Sequence, residues 1–450
     1  MRLTLLHTND VHGEIEALAR VATLVERIRA ETPHPVVFVD CGDVEETTQR
    51  ISNLTKGVAM HRLLSAAGCE AAAVGNAAWL RYGTQVLADQ ARAASYPLLL
   101  ANLHPVEGVH ETALLGGVGF VGVTASFADY YREEAWVFGV EALDEVETVR
   151  RCAADLRARG AGFVVCLSHL GLDVPDARID DRRLAPAVAG HVDLILGAHT
   201  HDLLPEGEWI DGVLVAQAGS HGTHLGRVDV EDGDPRASVL PVPADLPPHP
   251  PVLAEAARIE PELDAHLDEV VGELDRPLDG VWVAEMLRQR MDAEVGIVTE
   301  AVVLNGTLPP GPVSRRELYE LSDSGANAGV STISGERLRR MIEIGTDPAF
   351  AATTRGPLRG RPRGPLHVAG IDPAAIDPDR DYVVAATDWE LERYGGLVDP
   401  EWRLPHRSDF PTIVREAIEE ALAADRLERP VVQRDPVAPE GAAGGEQPLP

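Results

Sequence analysis

The chain has 450 residues, 45% of them hydrophobic, and a formal net charge of −32 from 72 acidic and 40 basic side chains. That length exceeds one ordinary domain, so two are expected, and the apolar content is enough for cores, which excludes a disordered chain. So acidic a chain argues against long nucleic acid or an anionic membrane as partner; any phosphate site has to draw on local metal or arginine charge.

In chain order, residues 1–240 alternate short apolar runs with amphipathic stretches, the pattern of a layered α/β domain. Strands are predicted at 3–6, 36–39, 71–74, 98–100, 120–123, 163–167, 194–196 and 214–216. Between the first two, Leu18, Val21, Leu24, Val25 and Ile28 have helical spacing. The prolines of 234–251 read as a linker, followed by an acidic amphipathic helix, so that 241–278 is expected to connect two domains. A second α/β region is expected over 279–425, with strands near 295–298, 366–369 and 382–386 and helices near 283–291 and 412–424. Within it Arg355, Arg359, Arg361 and Arg363 lie in a Gly/Pro-rich run that reads as a solvated loop, and 426–450 lacks apolar periodicity and is predicted to be disordered. The first strand begins at Arg2, leaving no room for a signal peptide, and no apolar run has transmembrane length. Cys41, Cys69, Cys152 and Cys166 show no paired spacing and read as buried thiols. A cytoplasmic protein without membrane contact is expected.

Several predicted strands end on a residue that can bind metal. Asp10-Val11-His12 follows the first, and Asp40-Cys41-Gly42-Asp43 the second. Gly75-Asn76, Ser168-His169 and Gly197-Ala198-His199-Thr200-His201 close three more. Side chains at the carboxyl ends of neighbouring strands converge on one sheet edge. Carboxylates, imidazoles and one amide oxygen suit a divalent ion such as Mn, Fe or Zn.

In this order the motifs resemble the calcineurin-like metallophosphoesterases, and within them the 5′-nucleotidase family of the bifunctional metallophosphatase type. Leu6-His7-Thr8-Asn9-Asp10 and Gln217-Ala218-Gly219 resemble the nucleotidase branch. Gly311-Pro312-Val313-Ser314, Leu318-Tyr319, Ser334-Gly335-Glu336-Arg337-Leu338 and Asp381-Tyr382-Val383-Val384 resemble its C-terminal domain. The resemblance implies a four-layer α/β/β/α domain over 1–240 and a smaller α/β nucleotidase-like domain over 279–425. It implies two divalent metal ions, one held by Asp10, His12 and His201, the other by Asn76, His169 and His199, with Asp43 bridging. Catalysis would rest on Asp43, Asn76 and His169, with a metal-activated hydroxide attacking a small phosphorylated substrate such as a nucleotide. His7 and Asn9 are candidates for contacts behind the metals, and His221 and His224 for contacts with substrate or as a replacement acid. Asn305 falls where the family's phosphate-facing arginine is expected, and Tyr394 or Trp389 would have to stack on a base.

The pattern breaks at one place. Ala77 stands where the family's histidine acid follows the asparagine, and Leu80 where its carboxylate partner belongs. Neither side chain transfers a proton, so altered or weak activity is expected. The alternative is a non-catalytic relative that binds metal or nucleotide.

Overall fold

The computed structural model describes residues 2–103, 105–125, 142–174, 177–353, 361–392, 395–398, 402 and 404–423. The tail predicted over 426–450, Tyr394, Arg355 and Arg359 lie outside the described residues. The chain divides into two units, one of Met1–Val270 with Val313–Gly325 and Phe410–Arg415, the other of Val271–Pro312, Ala326–Asp409 and Glu416–Pro450.

The strands of the first unit are, in chain order, β1 (Arg2–Thr8), β2 (Val36–Asp40), β3 (Ala71–Ala73), β4 (Leu98–Leu99), β5 (Thr112–Leu115), β6 (Val118–Thr124), β7 (Phe163–His169), β8 (Leu194–Leu196), β9 (Glu208–Ile210), β10 (Val213–Ala216), β11 (His224–Glu231) and β12 (Asp234–Pro241). They form two six-stranded sheets, ordered β12-β11-β1-β2-β3-β4 and β5-β6-β7-β8-β10-β9. Each face of each sheet is buried for a reason visible in the alternation of its side chains. Leu3, Leu5, Val37 and Val39 of one sheet meet Val165, Leu167, Leu194, Leu196 and Leu214 of the other in an inter-sheet core. On the outer face of the first sheet, Leu6 and Phe38 pack under Leu18, Val21, Val25 and Leu63 from helices Ile15–Glu31 and Val58–Ala66. Outside the second sheet, Val164, Cys166 and Ile195 pack under Val149, Cys152 and Leu156 from helix Glu145–Ala158 and Leu184 and Val188 from helix Asp181–Val188. The result is the α/β/β/α order of layers.

Two expectations are corrected here. The proline-rich stretch from Asp234 is not all linker: Asp234–Pro241 is strand β12, paired antiparallel with β11 from Glu231↔Asp234 to His224↔Pro241. Asp232 and Gly233 turn the hairpin with φ of 53° and 89°, the left-handed pair that a two-residue hairpin requires. Pro235 and Pro241 are tolerated because β12 is the sheet's edge. The helix expected to connect two domains, Pro250–Leu267, packs onto the first unit instead, because Val252, Ile259, Leu263 and Leu267 line up on one face and join the core beneath helix Ile15–Glu31. The expected division at 240 and 279 therefore differs from the observed units, whose first member also takes in 313–325 and 410–415.

The second unit holds strands Leu366–Ala369, Val295–Thr299, Asp381–Thr387 and Asn327–Ser334, neighbours in that order in a five-stranded sheet whose last strand, His406–Ile413, belongs to this unit only through His406–Asp409. Its core gathers Val295, Ile297, Val384 and Ala386 from the strands with Leu338, Met341 and Ile342 from helix Gly335–Thr346. Arg363, expected in a solvated loop, is buried: its guanidinium donates to Thr353 Oγ1 and the Gly395 carbonyl and stacks on Phe350. Among the described residues, no helix is long and apolar enough to cross a membrane.

Candidate metal centre

β1, β2, β3, β7 and β8 are parallel neighbours within their sheets, so their carboxyl ends deliver Asp10, Asp43, Asn76, His169 and His199 to the same edge. The delivering turns are sharp. Asp10, His12, Asp43, His199 and His201 all have left-handed backbone, with φ of 52°, 49°, 55°, 73° and 60°, and His221 beside them has 56°. For a non-glycine residue this costs about 1–2 kcal/mol, and such strain gathers at functional sites. It persists because backbone bonds over-determine the turns: Asp10 N–H donates to Gly42 O, His12 N–H to Asp43 O and His221 N–H to Asp10 O, at 2.9, 3.0 and 2.7 Å.

The side chains converge in two overlapping groups, Asp10 with His12 and His201, and Asp10 with Asp43 and His169. Asp10 Oδ1 lies 3.7 Å from His12 Nε2, 3.5 Å from His201 Nε2 and 3.8 Å from His169 Nε2. His169 Nε2 also lies 3.2 Å from Asp43 Oδ2 and 3.2 Å from Asn76 Oδ1. The His199 ring sits 5.3 Å from the His169 ring, and its backbone N–H donates to the Asp10 carboxylate at 2.9 Å. All seven ligand-type residues read from the strand ends are thus brought together.

Whether metal suits this cluster can be tested on its hydrogen bonds. His169 Nδ1 is 2.9 Å from the Cys41 carbonyl, and His12 Nδ1 is 3.3 Å from the Glu45 carbonyl. A carbonyl only accepts, so each Nδ1 carries the hydrogen and each Nε2 presents a lone pair to carboxylate and amide oxygens. Lone pairs facing lone pairs call for positive charge between them. Electrostatics agrees. Burial opposes charge on His169, but the Asp43 and Asp10 carboxylates outweigh it and hold the imidazole up to about 10. Burial also pushes Asp10 up, but the His201 hydrogen bond and the His169 and His12 charges hold it well below the usual carboxylate range. His199, by contrast, is pushed down to about 4 by burial and by the His169 charge. A divalent cation there would supply the charge that His169 otherwise takes as a proton on Nε2, leaving that nitrogen's lone pair to coordinate. The residues therefore fit a metal centre of mixed nitrogen and oxygen ligands.

The other candidates divide. Asn9 is buried behind the centre: Nδ2 donates to Asp10 Oδ2 at 2.8 Å and to Gly219 O, while Oδ1 accepts from Ala218 N–H at 3.1 Å. His7 is buried between the sheets on β1, opposite Gly226, and burial pushes its imidazole down to about 4. The His221 ring joins those of His12 and His201 at 5.4 and 5.7 Å. His224 instead opens β11 opposite Pro241, with Nδ1 on Thr223 Oγ1. Asn305 is exposed and Trp389 half-buried, both on the second unit. Ala77 is half-buried and its N–H donates to Asp43 Oδ1 at 2.8 Å, so the position that lacks an acid still steadies the Asp43 carboxylate by its backbone.

Sequence reading missed the residues that hold this edge from behind. Glu45, His61 and Tyr96 form a buried chain, with His61 Nε2 on Glu45 Oε1 at 2.6 Å and Nδ1 on Tyr96 Oη at 2.7 Å. It steadies the carbonyl that orients His12. No local signal marks it, because the three residues belong to separate elements.

The comparisons with known proteins follow this geometry. No protein-family model matches the chain. It is 26% identical over 402 residues to an uncharacterized metallophosphoesterase, YunD, of Bacillus subtilis, covering 82% of this chain and 84% of that protein. It is 26% identical over 367 residues to the 5′-nucleotidase of Bos taurus, covering 69% of this chain and 61% of that protein. The fold matches a 5′-nucleotidase precursor from Thermus thermophilus with a TM-score of 0.58 at 20% identity, over 94% of this chain and 96% of that one. In sequence the chain is similar to proteins named metallophosphoesterase and 5′-nucleotidase, and its fold is that of solved 5′-nucleotidases. These relatives are phosphoric ester hydrolases, of a family whose centres are dinuclear.

Proposed function

We propose that the chain hydrolyses phosphoesters at a two-metal centre and that it favours esters with acidic leaving groups, phosphodiesters among them, over nucleoside monophosphates. Asp10, His12 and His201 would hold one ion, Asn76, His169 and His199 the other, and Asp43 would bridge; the donor set suits Mn, Fe or Zn. When bound, the ions would supply Lewis-acid charge and an activated water. The protein's share is to hold Asp10 through Asn9, the His12 and His169 rings through carbonyls, and Asp43 through the Ala77 N–H.

The observation that carries the preference is this intact cluster beside Ala77. Its methyl group offers the leaving oxygen no proton, and general acid help is worth about two to four orders of magnitude, or about 3–5 kcal/mol. A nucleoside 5′-oxygen needs that help; a nitrophenolate leaves without it. Four free, buried cysteines support a reducing, cytoplasmic setting.

The test compares p-nitrophenyl phosphate, bis(p-nitrophenyl) phosphate and AMP as substrates of the Mn²⁺-loaded protein, with Asn76→Ala as control. Turnover of the nitrophenyl esters well above that of AMP is expected. Ala77→His with Leu80→Asp should then raise AMP hydrolysis selectively. A wild type no faster than Asn76→Ala on all three esters would show a binding protein instead.

A further inference from the structure

Behind the ligand turns lies a second buried polar cluster, formed by Asp181, Ser168 and Gln217, each without solvent exposure. Asp181 is the first residue of helix Asp181–Val188, yet its side chain points inward under the metal centre. Its Oδ1 accepts from Ser168 Oγ, the residue before His169. Its N–H donates at 2.8 Å to the carbonyl of Gly171, two residues after His169. Gly171 in turn lies against the other ligand turn: a Cβ there would come 2.7 Å from Thr200 Cγ2 and 3.1 Å from His199 Cδ2. Asp181 Oδ2 presses on Gly197, where a Cβ would stand 2.4 Å from it and 3.3 Å from Gln217 Nε2. Gln217 Nε2 donates at 2.7 Å to the carbonyl of Ala198, next to His199.

Asp181 thus touches the chain on both sides of His169 and just before His199. We infer that Asp181 is a positioning residue, which with Ser168 and Gln217 fixes the two strand ends carrying His169 and His199 relative to each other. The inference rests on the two-metal reading above, and it explains why residue 197 is a glycine, since the backbone there passes too close to a buried carboxyl for any side chain. Burial pushes the Asp181 carboxyl up to about 8, against the Ser168 hydrogen bond. At neutral pH it is therefore mostly uncharged, so asparagine, which has the same shape and still accepts from Ser168, should replace it.

The test titrates metal-free wild type, Asp181→Ala, Asp181→Asn and Ser168→Ala with Mn²⁺ by calorimetry. Bound Mn²⁺ is counted after gel filtration, and kcat and KM are measured on bis(p-nitrophenyl) phosphate. The wild type should bind two ions. Asp181→Ala should bind one of the two about 10–100-fold less tightly and lose kcat, with KM at saturating metal little changed. Asp181→Asn should stay close to wild type. Should Asp181→Ala fail to fold, Ser168→Ala, which loses only a hydroxyl, should still weaken the second ion. Two ions bound as tightly by the alanine variants as by wild type would overturn the inference, as would an asparagine variant as weak as Asp181→Ala. A wild type that binds no Mn²⁺ would instead overturn the metal-centre reading on which it stands.

Discussion

Asn9→Ala is the most direct probe of how the centre is held. Asn9 makes three buried hydrogen bonds, to Asp10 Oδ2, Gly219 O and Ala218 N–H. Alanine keeps the backbone and deletes all three. At about 1 kcal/mol net for each, the loss is about 3 kcal/mol, which for a unit of this size lowers Tm by about 6 °C. The same change leaves Asp10 free to rotate away from His12 and His201, so Mn²⁺ affinity should fall about 10–100-fold. Asn9→Asp is the sharper variant. It keeps the size but sets a second carboxylate where Nδ2 now lies 2.8 Å from Asp10 Oδ2, so the metal-free protein should melt lower than Asn9→Ala. The assays are calorimetric melts of metal-free protein and Mn²⁺ titration. Melting of Asn9→Ala within about 1 °C of wild type, with unchanged Mn²⁺ affinity, would refute the reasoning.

Three further outcomes are expected. Buried His7 stays neutral down to about pH 4, whereas in the unfolded chain it takes a proton near 6.5, so stability is lost as pH falls from 6.5 towards 4. Between pH 7 and 4.5 the wild type should lose about 2–3 kcal/mol more than His7→Leu in urea titrations; parallel pH curves would contradict this. Gly226→Ala would place a Cβ 2.0 Å from His7 Nε2 inside the inter-sheet core, and should destabilise by about 1–3 kcal/mol or more, as read from denaturant midpoints. Removal of metal by chelation should abolish hydrolysis and lower Tm, and Mn²⁺ at 100 times its Kd should restore about 2.7 kcal/mol of stability per site; a chelated protein with full activity would rule out the metal centre.

What was legible in the sequence was what is local. Strand ends could be read from apolar runs, and ligand types from single letters, so the seven residues from Asp10 to His201 could be named before any geometry. Strands of both sheets were legible as short apolar runs, and the Ala77 departure as a missing letter. What depends on distant partners was not. Helix Pro250–Leu267 looks like a connector by composition, and only its docking on helices Ile15–Glu31 and Val58–Ala66 shows where it belongs. β12 was hidden by Pro235 and Pro241, although Asp232-Gly233 announced its hairpin; prolines exclude central strands but not an edge. Asp181 resembled an ordinary residue at a helix start, because nothing near it in sequence reveals Ser168 or Gly197 as neighbours.

The left-handed turns also set two properties of the molecule against each other. At His12 and His201, with φ of 49° and 60°, glycine would sit more comfortably than histidine, since it adopts such angles without crowding its Cβ. The backbone alone thus favours the residue that cannot bind an ion. A laboratory selection for heat resistance of the metal-free protein would drift towards glycine at these positions and erase the centre. A selection run with metal present would not, wherever an imidazole's share of the binding free energy exceeds the about 1–2 kcal/mol that its turn costs.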